Sequence, residues 1–545
     1  MGDARVRRFG PARRTTTALL AAGIGIVSPL AVAMPGWAQT TAGSSDGGFY
    51  ATPPPVDDSR LIQDTKQPDQ AYVKKKECVQ RSTLGEHVEL NNRPWGQEYL
   101  QITKAQEIVR AAVSDGTAGG GVKVAVIDTG VTQHPWFQGR VQSGGDYVAT
   151  PQGKQPGLED CDGHGTEVAG IIAAKPDNPQ VGFVGVAPDA TIVSYRQLSE
   201  NYGPPDKAQN GGGSSSSTPP PSTGAQQPPG SNTALPPSTS NGGGEPGGEI
   251  VPGQTGGRQI EKAGTAGTLT SLAMILRRLP EDGIKVANMS VDRCRAADGT
   301  IQPLEKSVQA AAHYAAANDV VLIAAAGNVT DNCPQNDQAD PLKPKTIVTP
   351  PWFADDVLSV GAIDDTGSVA GFSVHGPWVG VAAPGTKIIS LDPAEGSTGL
   401  ANLTFENGNQ ATEIQGTSFA APYVAGLAAL IRAKYPDLKA PQVVARIKAT
   451  AQHPAAPGGR DNFVGYGVID PLAALTQVVA SEGGITAASP SPQWAQLPPA
   501  DDRNWTPMIV ALAGTGGGLV ALLITLFVMH TVRRNRPESA STKPR

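Results

Sequence analysis

VKVAVIDTGV, residues 122–131, is an apolar run rich in β-branched residues that ends in Asp128-Thr129-Gly130. Apolar residues at successive rather than alternate positions predict a strand buried on both faces, the habit of parallel sheets. The same grammar continues outward. GHGTEVAGIIAAK (163–175) predicts a helix, and VGVAPDATIVSYRQL (184–198) holds a second strand. A helix over 265–278, a strand over 285–291, a helix over 305–318 and a strand over 320–328 follow. Strands near 357–363 and 379–383 lead to a helix behind Ser418 and another over 440–451. Alternation of this kind predicts an α/β fold with a mostly parallel central sheet covered by helices on both faces. Residues 39–115, upstream, are polar with scattered turn residues and one predicted helix, 104–113.

The chain has 545 residues, with 65 Gly and 48 Pro against 39% hydrophobic residues, so a folded core is diluted by loops and linkers. Its net charge of −6, with basic clusters only at the two ends, argues against a nucleic-acid partner. Residues 1–38 combine five arginines, the apolar run ALLAAGIGIVSPLAVAM (18–34) and small residues around Ala38, which is the pattern of a secretory signal peptide. An uncleaved anchor is the alternative, and Pro29 inside the run disfavours it. MIVALAGTGGGLVALLITLFVM (508–529) is uncharged and long enough to span a bilayer, which predicts a transmembrane helix over 507–531. Arg533, Arg534, Arg536 and Lys543 then place the tail, 532–545, in the cytoplasm by the positive-inside rule. The expected topology is single-pass type I, with residues 39–505 outside the cytoplasmic membrane. A Ser/Pro/Ala-rich tether, 481–506, leads to the span, and the Gly/Pro/Ser/Gln tract 201–257 is expected to be a disordered insertion.

Three residues of catalytic type stand where an α/β sheet presents functional groups. Asp128 ends a core strand, His164 opens a helix within Asp-Gly-His-Gly-Thr, and Ser418 opens another within Gly-Thr-Ser-Phe-Ala. Each has a plain structural alternative: a turn cap for Asp128, a loop histidine for His164, a helix N-cap for Ser418. Together they have a chemical logic. A serine hydroxyl becomes a nucleophile when a neutral imidazole takes its proton, and a carboxylate fixes that imidazole's tautomer. The oxyanion that develops needs fixed donors, which the Asn328 amide and the Ser418 backbone N–H can supply.

The segments VAVIDTGV, DGHGTEVAG, VLIAAAGN and GTSFAAPYVAG resemble the Asp, His, oxyanion and Ser motifs of the subtilisin-like serine proteases. That resemblance implies a three-layer subtilisin-like peptidase domain over 119–480 and acyl-enzyme hydrolysis of peptides. No cofactor and no metal site is expected, since no acidic loop of calcium-ligand spacing stands out. Asp128 would orient His164, the general base and acid, Ser418 would attack, and Asn328 would hold the oxyanion. Ser290, Ala326 and Gly327 would line the substrate path. Subtilisins usually carry a glycine-rich segment after Asn-Met-Ser, whereas here Val291, Asp292, Arg293 and Cys294 follow, so no cleavage preference is carried over. The whole layout of export signal, polar extension, protease domain, tether, span and basic tail is similar to the mycosins, membrane-anchored proteases of actinobacterial type VII secretion systems. Membership would imply association with the secretion membrane complex, to process secreted proteins or to stabilise the assembly. A surface-binding adhesin is a further reading, but the sequence offers no aromatic platform or repeat for it.

Four cysteines in an oxidising compartment read as two disulfides, with a metal site disfavoured by their spacing. Cys294 and Cys333 each follow the carboxyl end of a core strand and can approach the roughly 5.5 Å Cα separation of a disulfide. Cys78 would then pair with Cys161, or both would stay free. A Cys78–Cys161 bridge would tie the extension, 39–118, beside the catalytic His164 as a retained wrap rather than a removable propeptide.

Overall fold

A computed structural model describes residues 48–79, 84–85, 89–150, 153–206, 258–338, 340–406, 410–483 and 506–534. The expected signal peptide (1–38), nearly all of the tether (481–506) and most of the insertion lie outside the described residues. Residues up to Thr476 form one compact unit and the remainder a second.

Seven strands form the central sheet of the first unit. Their spatial order is Val379–Pro384, Val357–Ile363, Val321–Ala325, Val286–Met289, Lys123–Asp128, Thr191–Arg196 and Val141–Asp146. Every adjacent pair is parallel. Side chains alternate between the faces of a strand. Val124 and Val126 accordingly join one hydrophobic core, with the helices His164–Ala173 and Thr417–Lys434. Ala125 and Ile127 join the other, with the helices Leu269–Arg278 and Pro303–Ala317. From the first core strand, Lys123–Asp128, the chain crosses to the edge strand Val141–Asp146, fills Thr191–Arg196 between them, and later builds outward on the other side. Strand order therefore reverses between Lys123–Asp128 and Val286–Met289. The carboxyl ends of these two strands open the crevice where α/β sheets bind ligands.

A strand missed by the sequence reading, Val141–Asp146, closes one edge of the sheet, its apolar pattern thinned by Gly144 and Gly145. A second sheet stands beside the crevice. In it Val291–Ala296 pairs with Thr346–Thr349 on one side and with Arg258–Gln259 on the other.

The described part of the upstream extension is bound to the protease domain at several points. The Trp352 indole donates to the Tyr50 carbonyl and the Gln309 amide to the Pro54 carbonyl. Val73–Lys74 pairs with Tyr202–Gly203, and a disulfide joins Cys78 to Cys161. The helix Ile102–Ala112 buries Ile102, Ala105 and Val109 in the main core, so the end of the extension belongs to the domain itself. One expectation needs correction: the insertion does not begin at 201. Residues 201–206 are ordered, because the strand pairing of Tyr202–Gly203 gives their backbone partners there.

In the second unit, Thr506–Arg534 is one helix. Its segment Val510–Arg534 is long and apolar enough to cross a membrane, and its apolar side chains are exposed.

Candidate active site

Asp128 continues the alternation of Val124 and Val126, so its side chain points to the face that carries the His164 and Ser418 helices. His164 Nδ1 lies 2.7 Å from Asp128 Oδ1, and His164 Nε2 lies 2.9 Å from Ser418 Oγ. The Thr129 backbone N–H also donates to Asp128 Oδ1, at 2.7 Å, which makes that oxygen an acceptor. Nδ1 therefore carries the ring proton and Nε2 accepts from the serine hydroxyl. All three side chains are buried.

The close approach depends on glycine. A Cβ on Gly165 would lie 2.0 Å from the Gly130 carbonyl oxygen and 3.1 Å from Asp128 Cβ. Only a residue without a Cβ lets the His164 helix start against the Asp128 turn. Asp160, which the sequence reading missed, fastens the two together. Its carboxylate accepts from the Thr129 hydroxyl, the Gly163 N–H, and the Thr166 N–H and hydroxyl, at 2.7–2.8 Å. Its only sequence signal is a carboxylate shortly before the histidine, which many turns share. Phe419 packs its ring 5.0 Å from the imidazole, so the residue after Ser418 shapes the pocket of His164.

Ser418 is the second residue of its helix, not the cap. Gly416 takes the N-cap position, which frees the Ser418 hydroxyl from capping. First-turn N–H groups point out of a helix along its axis, and the Ser418 amide is one of them. Pro422, inside the helix, has no N–H to give the Ser418 carbonyl four residues earlier. Ser290 supplies the missing donor: its hydroxyl donates to that carbonyl at 2.7 Å while accepting from the Asn288 amide at 2.8 Å. Replacing Ser290 with Ala should strand a buried carbonyl and cost roughly 1–3 kcal/mol, measurable by denaturant unfolding.

Asn328 follows the strand Val321–Ala325. Its Oδ1 accepts the Thr417 backbone N–H at 2.9 Å, which fixes the amide flip. Its Nδ2 is buried with no hydrogen-bond partner among the described residues. Ala326 and Gly327 lead into it, and the Gly327 carbonyl is already taken by the Val374 N–H. The second disulfide joins Cys294 to Cys333, with Cα atoms 5.4 Å apart, and ties the strand after Ser290 to the loop after Asn328.

Asp292, two residues after Ser290, is an unusual carboxylate. Burial, with no cation to oppose it, pushes its carboxyl up to about 7 from the ordinary 3.8. The folded chain thus holds a proton that the unfolded chain has lost. Burial costs nothing below the ordinary value, the cost grows as pH rises from there to about 7, and above that it stays constant. Asp292→Asn should therefore raise the melting temperature, by more at pH 8 than at pH 5.

The Subtilase family description matches residues 119–467, well over half of the chain, so the class is that of the subtilisin-like serine endopeptidases. Mycosin-1 of Mycobacterium tuberculosis (strain ATCC 25618 / H37Rv) is 38% identical over 438 residues, covering 78% of this chain and 82% of the relative. Mycosin-4 of the same organism is 34% identical over 510 residues, covering 91% and 95%. The crystal structure of MycP1 from Mycobacterium smegmatis matches with a TM-score of 0.61 at 34% identity, covering 78% of this chain and 95% of that one. A chain of an intact ESX-5 inner membrane complex matches with a TM-score of 0.62 at 33% identity, covering 88% and 100%. The chain belongs to the mycosins, within the subtilase family, and its apolar C-terminal helix makes it a membrane-anchored member.

Proposed function

We propose that Ser418 is the nucleophile of this endopeptidase, with His164 as its general base and acid and Asp128 as the group that orients His164. The continuous chain of hydrogen bonds Asp128–His164–Ser418, at 2.7 and 2.9 Å, carries this reading. As Ser418 Oγ attacks a peptide carbonyl, its proton passes to His164 Nε2, and Asp128 stabilises the imidazolium. The oxyanion falls between Asn328 Nδ2 and the Ser418 N–H. His164 then protonates the leaving amine, and water repeats the sequence on the acyl-enzyme.

The protease domain acts on the extracytoplasmic side, with the basic tail in the cytoplasm, and serves a type VII secretion membrane complex. Support comes from the arginine-rich end of the apolar helix and from relatives solved within the ESX-5 inner membrane complex. Its substrates are secreted or envelope proteins, and the Cys78–Cys161 bridge keeps the extension attached. Those same relatives favour a second role, stabilisation of the complex by the fold itself. Comparing Ser418→Ala with a full deletion separates the two: loss of secretion only in the deletion assigns a scaffold role, and loss in both assigns it to catalysis. Proteolysis surviving Ser418→Ala would refute the nucleophile.

A further inference from the structure

We infer that Asp292 selects the substrate: its carboxylate receives the cationic side chain, Lys or Arg, of the residue whose carbonyl Ser418 attacks. This rests on the roles proposed above for Ser418 and Asn328. The strand Val291–Ala296 begins directly after Ser290, whose hydroxyl touches the Ser418 carbonyl. Alternate residues share a face, so Asp292 and Cys294 look the same way. Cys294 is bonded to Cys333, which turns that face toward the loop carrying the Asn328 amide. Gln259, opposite Asp292 in the adjoining strand, reaches the same loop, its amide 3.5 Å from the Thr330 hydroxyl. Asp292 thus lies on the strand that begins beside the Ser418 carbonyl, on the face tied by the disulfide to the loop after Asn328.

The chemistry of that carboxylate is unlike its neighbours'. Asp160 has four donors, Asp162 has the Ser199 hydroxyl and the Glu200 N–H, and Glu305 has the Arg295 guanidinium. Asp292 is 2% exposed, and Cys294 Sγ lies 3.9 Å from its Oδ1. That sulfur is in a disulfide and has no hydrogen to donate. Among the described residues no N–H or O–H donates to the Asp292 carboxylate. An unsatisfied buried carboxylate is a standing cost to the fold. An entering ammonium or guanidinium removes it, since two charges pair where water is excluded, whereas a neutral side chain of the same shape does not.

The test uses the full-length chain in detergent. In a Ser418→Ala background, acetyl-Ala-Ala-Xaa-Ala-Ala-amide with Xaa arginine should bind at least about tenfold more tightly than the same peptide with the neutral isostere citrulline. The ratio should fall to near one in Ser418→Ala/Asp292→Asn. With Ser418 intact, cleavage of a tryptophan-labelled random peptide library should place Lys or Arg before the scissile bond. Asp292→Asn should erase that bias while hydrolysis of the library continues. Equal binding of the two peptides, or Ser418-dependent cleavage without a basic bias, would overturn the assignment to Asp292. Cleavage that persists in Ser418→Ala would instead overturn the nucleophile.

Discussion

Replacing Ser418 with Ala should lower peptide turnover by roughly a millionfold, because the acyl-enzyme route needs the one hydroxyl that His164 holds at 2.9 Å. His164→Ala should cost about as much, and the double variant should be little worse than either single one. That non-additivity is the signature of a unit, since neither residue contributes once the other is gone. The fold should survive, because alanine leaves the Ser418 carbonyl on the Ser290 hydroxyl. Turnover of a fluorogenic peptide, together with covalent labelling by a fluorophosphonate, measures both points. A Ser418→Ala chain that keeps even one part in a hundred of its turnover would remove Ser418 from the chemistry.

The second large effect falls on Asn328. Asn328→Asp keeps an oxygen for the Thr417 N–H, the contact made at 2.9 Å, but replaces the Nδ2 donor with a second acceptor. Turnover should drop by at least roughly 10²–10³, the loss associated with one oxyanion donor, with KM nearly unchanged. Asparagine to alanine confounds two losses, the donor and the anchor of Thr417, so the aspartate variant is the sharper test. A melting temperature close to that of the parent alongside collapsed kcat would assign Nδ2 to the transition state. Unchanged kcat would make Asn328 only an anchor for the Ser418 helix.

The reading of the sequence succeeded where the physics is local. Continuous apolar runs such as VKVAVID and VVLIAAAGN became the parallel strands Lys123–Asp128 and Val321–Ala325, since burial on both faces leaves that pattern in the chain itself. The strand Val141–Asp146 escaped because an edge strand with two glycines has little apolar signal. Asp160 escaped for a different reason: its four donors come from the Asp128 turn and the His164 helix, and only folding brings those together. The helix N-cap considered as the alternative role for Ser418 falls instead to Gly416, another good cap residue, a choice the chain alone leaves open.

The sequence by itself settled the residue types, their order and the faces on which they stand. Pro422 even announces that the carbonyl four residues before it, that of Ser418, has no helical donor, because proline has no N–H. What it could not say is which group would fill the gap. The hydroxyl that does so belongs to Ser290, 128 positions away, and the N–H that aims Asn328 belongs to Thr417, 89 positions away. A hydrogen bond acts over about 3 Å and has no memory of chain distance, so only the tertiary structure decides such pairs.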